Sequence, residues 1–203
     1  MLIGIASFYL CSREPAIDAH ARVRQFVIQS TLNRFFDVIV VLGDSIVEGS
    51  TLPRSICGHA IVNAGIGGTS TTSKLGSMLA NSLDGRRAAL IVVSLGTNDA
   101  AKSRSVQTFR TNYRKLLEEL LPLTSRIVVM AIPPVENQPA IEVTINEYNS
   151  ILPEIAKEIG ATFVALPRMP ERHTFDGVHL NAAGYQIWDE TALRGSASIC
   201  GSG

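Results

Sequence analysis

The stretch Asp37-Val38-Ile39-Val40-Val41-Leu42-Gly43-Asp44-Ser45 decides how this chain folds. It is an apolar, largely β-branched run that stops at Gly-Asp-Ser. So short a run without polar alternation reads as a strand buried on both faces, in the middle of a parallel sheet. In open parallel sheets the chemistry lies just beyond the carboxyl ends of the strands. Ser45 falls there, on a turn that Gly43 allows to be sharp. Taken alone, the triplet is equally a plain strand ending, because Gly, Asp and Ser are common turn residues. The rest of the chain decides between the two.

Outward from that strand, apolar runs alternate with helical patterns. Upstream, residues 14–34 have helical periodicity, with Ile17, Ala21, Arg24 and Ile28 joined to Val23, Phe26 and Val27 in one stripe. Residues 46–59 read as loop, broken by Gly49, Pro53 and Gly58. Short strands follow at 60–63, 88–95, 126–132 and 161–166. Between them, Thr71 or Thr72 caps a helix that runs to Leu83. A clean amphipathic helix covers 105–121, with Val106, Phe109, Tyr113, Leu116, Leu117 and Leu120 on one face. Another covers 140–159, which Pro153 should kink or divide. A last helix begins near Asn181. Two-sided apolar strands need helices on both faces. The expected fold is α/β, a three-layer α/β/α sandwich with about five parallel strands. It comprises an N-terminal helical extension over 1–35, one domain over 36–194, and a frayed tail over 195–203.

The totals narrow the function. The chain has 203 residues, 46% hydrophobic and 18% charged, with net charge +0. That is a globular composition with one domain as the prior, and it carries no basic footprint for nucleic acid or an acidic membrane. No run reaches the ~18 apolar residues of a spanning helix. The apolar residues 1–10 lack a basic start and a small-residue cleavage pattern, which tilts the compartment towards cytoplasmic over secreted. Cys11, Cys57 and Cys200 are odd in number and widely spaced, so free thiols are expected, with Cys57–Cys200 pairing left open. No His/Cys/carboxylate cluster has ligand spacing, so neither metal nor cofactor is expected.

Four strand ends carry the polar residues: Gly43-Asp44-Ser45, Gly65-Ile66-Gly67-Gly68, Gly96-Thr97-Asn98-Asp99, and the loop with Asp176 and His179. A parallel sheet brings these ends to one edge. Together they hold a nucleophile, a base, a carboxylate to orient it, and donors for an oxyanion, the inventory of acyl transfer. Each alone has a plainer reading: His179 as a loop histidine, the glycine loop as a phosphate turn, Asn98 as a helix cap. His20, His59 and His173 have no matching partners and read as structural or surface residues.

These four blocks, in this order, resemble the SGNH hydrolases, or GDSL esterase/lipase superfamily. Block I is Gly43-Asp44-Ser45-Ile46, with Ile in place of Leu. Block II is the glycine loop before Thr69, block III is Gly96-Thr97-Asn98-Asp99, and block V is Asp176-Gly177-Val178-His179. The resemblance spans residues 37–190 and implies a flavodoxin-like serine esterase. In it Ser45 is the nucleophile, His179 the base and Asp176 its orienting partner. The oxyanion hole is the Ser45 N–H, the Gly68 N–H (Gly67 the runner-up) and the Asn98 amide. A Gly-x-Ser-x-Gly elbow is absent, since Val47 replaces the second glycine.

The loop after Pro133-Pro134 is short, which leaves the site open and favours short acyl groups such as acetyl on a carbohydrate or small alcohol. A lysophospholipase or acyl-thioesterase on the same triad is the alternative, and a non-catalytic flavodoxin-like binding module the remote one. The partner expected is a small-molecule or carbohydrate ester.

Overall fold

A computed structural model describes residues 16–197 and residue 200. The readings of residues 1–10, of Cys11 and of the end of the tail lie outside them. Six strands form one sheet: β1 (Ile39–Gly43), β2 (Ser55–Ile56), β3 (His59–Gly65), β4 (Leu90–Ser94), β5 (Ile127–Met130) and β6 (Thr162–Val164), in the order β2-β3-β1-β4-β5-β6. The five from β3 to β6 are parallel, with β1 at the centre paired to β3 and β4. The sixth, β2, is a two-residue antiparallel edge that the broken pattern of 46–59 concealed.

The helices are α1 (Ala16–Leu32), α2 (Ser45–Glu48), α3 (Leu75–Leu83), α4 (Thr97–Ala101), α5 (Val106–Leu120), α6 (Pro139–Ile159) and α7 (Ala182–Ser196). Strand alternation divides β1 between two cores. Val38, Val40 and Leu42 join α1, α3, α5 and α6 in the larger. Ile39 and Val41 face α2 and α7, packing with Val47 and Trp188 in the smaller. Both faces of the central strand are dry, as its unalternating sequence requires.

Four expectations need correction. In α1, Ile28 and Leu32 are fully buried and Ala21 packs against the core, while Val23 and Phe26 are 62% and 68% exposed. The helix therefore carries two apolar faces, not one stripe. The third helix starts at Leu75 behind Lys74, without a threonine cap. Thr71 instead gives its N–H and hydroxyl to Asp99 (3.0 and 2.6 Å). Of the kink or division expected at Pro153, the division does not occur: helix α6 is one element from Pro139 to Ile159. Cys57 and Cys200 form a disulfide, with Cα atoms 5.4 Å apart, correcting the expectation of free thiols. Among the described residues no helix is long and apolar enough to cross a membrane.

Candidate active site

The C-terminal edge of the sheet gathers the four blocks. Asp44 caps α2, accepting the Ile46 N–H at 3.0 Å, and Ser45 is the first residue of that helix. The Ser45 N–H is thus at a helix start, where no intrahelical acceptor exists. Gly43 serves close packing rather than turning: a Cβ there would stand 2.1 Å from the Ser94 carbonyl oxygen and 2.4 Å from the Val47 side chain. A side chain at that position would push β4 or α2 away from the serine.

The loop before α7 supplies Asp176 and His179. One Asp176 oxygen accepts the backbone N–H groups of Val178 (3.0 Å) and His179 (2.8 Å), and the other faces His179 Nδ1 at 2.7 Å. These hydrogen bonds, the imidazole first, pull the Asp176 carboxyl down to about 2. An ionised carboxylate only accepts, which assigns the ring proton to Nδ1 and leaves Nε2 as the acceptor. Nε2 lies 3.0 Å from Ser45 Oγ, so the serine hydroxyl donates to it.

The β5–α6 connection braces this loop. Glu136 donates its backbone N–H to the Gly177 carbonyl (2.8 Å), and its carboxylate takes the N–H (2.8 Å) and hydroxyl of Thr174. Phe175 stacks on the His179 ring at 5.8 Å between centroids and is 73% exposed.

The glycine loop is a tight turn, with the Thr69 N–H returning to the Ile66 carbonyl at 3.3 Å and Gly68 at φ +77°. That left-handed φ suits glycine. The Gly67 N–H is engaged by Glu48 Oε2 at 2.7 Å, whereas the Gly68 N–H donates to no group among the described residues. The Asn98 amide gives one hydrogen to the Thr69 carbonyl at 2.8 Å, which fixes its orientation and leaves the second hydrogen to donate. Among the described residues no three His, Cys, Asp or Glu side chains converge as a metal would require.

Of the histidines set aside, His59 pairs with Asp37 (3.2 Å), and His173 is buried between the Pro134 and Pro170 carbonyls (3.0 Å each). His20 is different: it reaches Glu48 at the site's rim (3.1 Å), beside Arg24. Sequence reasoning missed Glu48, Arg24 and Glu136. Glu48 could have been suspected, since it stands three residues past Ser45 and so one turn along the same helix face. The other two act across contacts that no local pattern reveals. A cleft of ≈ 540 Å³, lined by Ile132, Pro134, Glu136, Asn149, Phe163 and Met169 among others, lies at the ends of β5 and β6, apart from Ser45 and His179.

Comparisons with known proteins bear on the family and the fold. The profile of the GDSL-like lipase/acylhydrolase family matches residues 41–187. The fold superposes on a Streptococcus pneumonia protein provisionally described as a platelet activating factor, at 25% identity and TM-score 0.69, covering 88% of this chain and 93% of that one. It also superposes on Axe2, an acetylxylan esterase from Geobacillus stearothermophilus, at 20% identity and TM-score 0.63, covering 78% and 93%. No curated protein sequence matches the chain significantly. The family profile covers well over half of the sequence and contains all four blocks, so the chain belongs to the GDSL-like lipase/acylhydrolase family and is an ester hydrolase of the SGNH type.

Proposed function

We propose that this enzyme hydrolyses carboxylic esters of short acyl groups, acetyl on a carbohydrate or small alcohol, through Ser45, His179 and Asp176. The observation that carries the reading is the unbroken relay from Ser45 Oγ to His179 Nε2 (3.0 Å) and from Nδ1 to Asp176 (2.7 Å). A serine hydroxyl is a weak nucleophile until a base takes its proton. In this reading His179 accepts that proton as Oγ attacks the ester carbonyl, and ionised Asp176 stabilises the imidazolium. The tetrahedral oxyanion is met by the N–H groups of Ser45 and Gly68 and the Asn98 amide. His179 then protonates the departing alcohol, and water releases the acyl group from Ser45 by the same steps.

The acyl-size and alcohol parts rest on the rim. Asp176 and Gly68 are solvent-exposed and His179 and Ser45 are partly so, which suits a small group that needs no enclosing tunnel. Phe175 offers an exposed aromatic face next to the base, where the alcohol must leave. Such a face packs well against the apolar side of a sugar ring. Axe2, by its name, acts on acetylxylan. At that identity it lends its fold and no more.

The test is a panel of p-nitrophenyl esters from acetate to decanoate, with acetylated xylooligosaccharide alongside, run on wild type and Ser45→Ala. The expected pattern is acetate fastest, rates falling with chain length, acetate released from the oligosaccharide, and Ser45→Ala inactive though folded. Hydrolysis retained by Ser45→Ala overturns the serine mechanism. A maximum at long chains overturns the short-acyl part in favour of a lysophospholipase-type specificity.

A further inference from the structure

Helix α1 precedes all four motif blocks, yet it reaches the site. Glu48, the last residue of the helix that begins with Ser45, accepts the Gly67 N–H at 2.7 Å. Its carboxylate also meets α1, at His20 Nε2 (3.1 Å) and Arg24 Nε (3.4 Å). Arg24 also donates to the Gly65 carbonyl (2.9 Å) and to the Asn63 carbonyl and side-chain oxygens (3.3 and 3.2 Å). Asn63 in turn donates to the Val47 carbonyl at 2.7 Å. The nucleophile helix and the glycine loop are thus tied through one carboxylate and one guanidinium.

We infer that Glu48 and Arg24 are positioning residues that set the oxyanion loop, and that α1 is a working part of the site. The inference rests on the proposed roles of Ser45 and Gly68. Gly67 and Gly68 occupy the two central positions of a tight turn. With no side chain on either, the peptide between them is free to exchange between the two orientations that separate turn types I and II. Only one orientation presents the Gly68 N–H. Gly68, at φ +77°, stands in the type II orientation, and the Gly67 N–H on Glu48 together with the Thr69 hydroxyl on the Ile66 carbonyl at 2.8 Å holds the turn in place beside the nucleophile helix.

Charge explains why the carboxylate comes with partners. An ideal Cβ on Gly67 would stand 3.3 Å from Glu48 Oε2 and 3.8 Å from Ser45 Cβ, so Glu48 lies close to where the oxyanion develops. A bare carboxylate there would repel that charge, and desolvation during reaction would strengthen the repulsion. Arg24 neutralises it while leaving its acceptor oxygen on Gly67. Glu48 therefore helps only while Arg24 is present, and the two form a unit whose effects are not additive.

The experiment is a double-mutant cycle of Glu48→Gln, Arg24→Ala and the pair, with Glu48→Ala and Ser45→Ala in parallel. It reads kcat and KM per active site titrated with a fluorophosphonate, and Tm for each variant. Glu48→Ala should lower kcat by about 10–100-fold with KM changed less than about twofold, because preorganised donors act on the transition state. Arg24→Ala should cost about tenfold or more in kcat, and Glu48→Gln, which keeps an acceptor for Gly67, less than about fivefold. The double variant should recover most of the Arg24→Ala loss, since its uncompensated charge is gone. Losses confined to Tm and to the fraction of titratable sites, with kcat per site within about twofold of wild type, would overturn the inference and leave these residues merely structural. Strict additivity in the cycle overturns the charge argument. Activity in Ser45→Ala overturns the site reading itself, whereas an inactive Ser45→Ala beside an unimpaired Glu48→Ala overturns only this inference.

Discussion

Two layers of polar side chains meet at the C-terminal edge of the sheet, and chain neighbours are divided between them. Ser45 and Asn98 stand at the rim, whereas Asp44 and Asp99, one residue away from each, are buried beneath with Tyr113. Asp176 and Asp44 show what the difference does. At the rim, Asp176 collects two backbone N–H groups and the imidazole, and is drawn down to about 2. Underneath, Asp44 receives only the Ile46 N–H, its second oxygen has no hydrogen-bond partner, and burial pushes it up to about 7. Formal charge and sequence position are the same kind of information for both. The supply of donors, set against the loss of water, separates them.

The largest way to break this contrast is Asp176→Asn. The site should stay assembled, but the amide no longer selects the Nδ1–H tautomer or stabilises the imidazolium. We expect kcat/KM to fall by about 10²–10⁴-fold, the upper figure being that for the same change in serine proteases. Steady-state kinetics on p-nitrophenyl acetate reads it, and a loss below tenfold would mean that Asp176 does not govern the base.

Next is the neighbouring pair on the β4 loop. Asn98→Ala should lower kcat by about 10²–10³-fold, or ~3–4 kcal/mol, with a smaller change in KM. Normal kcat in that variant would return Asn98 to holding the Thr69 carbonyl and nothing more.

The two aspartates should also respond to pH with opposite sign. The folded value of Asp44, about 7, lies above its ordinary 3.8, so its contribution to stability is complete below pH 3.8 and is lost as pH rises towards 7. Asp44→Asn removes that loss. Variant and wild type should differ least near pH 4, and the variant should gain by pH 8, by up to about 2–4 kcal/mol on linkage. For Asp176, with a folded value of about 2, the contribution is present above pH 3.8 and is lost as pH falls through 2. Thermal melts from pH 2 to 8 test both, and a Tm difference for Asp44→Asn that does not grow with pH would contradict the buried, weakly partnered state.

The smallest effect is expected at Tyr113. Its hydroxyl is buried without a hydrogen-bond partner, and burial together with the fields of Asp99 and Asp44 raises its pKa. Tyr113→Phe should leave stability unchanged or raise it by roughly 0–1 kcal/mol, because an unpaired polar group is removed at constant shape. A clear drop in Tm would show that the hydroxyl is bonded after all.

Much of this is legible in the sequence. Residues 38–42 had to be a two-faced strand because every position was apolar, and each later strand announced itself by the same run and a glycine or proline stop. The blocks around Ser45, Asn98 and His179 followed from where parallel strands must end. The edge strand β2 did not, because two residues make no pattern. Thr71 looked like a cap because threonine favours helix starts, but buried Asp99 offered its N–H and hydroxyl a stronger partner. Helix α1 blurred into one stripe because Val23, Phe26 and Val27 are as apolar as the residues it buries.

By itself, then, the sequence determined the strand–helix alternation, the edge at which chemistry could occur, and the residue types gathered there, because period and composition are local properties. Only the tertiary structure decided between Gly67 and Gly68 as the free donor, since that turned on Glu48 claiming one of two adjacent N–H groups. It also decided that α1 reaches Glu48, that Cys57 and Cys200 are joined, and that the carboxyls of Asp44 and Asp176 are shifted in opposite directions from their ordinary value. Each of those depends on which groups meet across tens of residues of chain and on how much water remains between them, and neither quantity is written in the order of the residues.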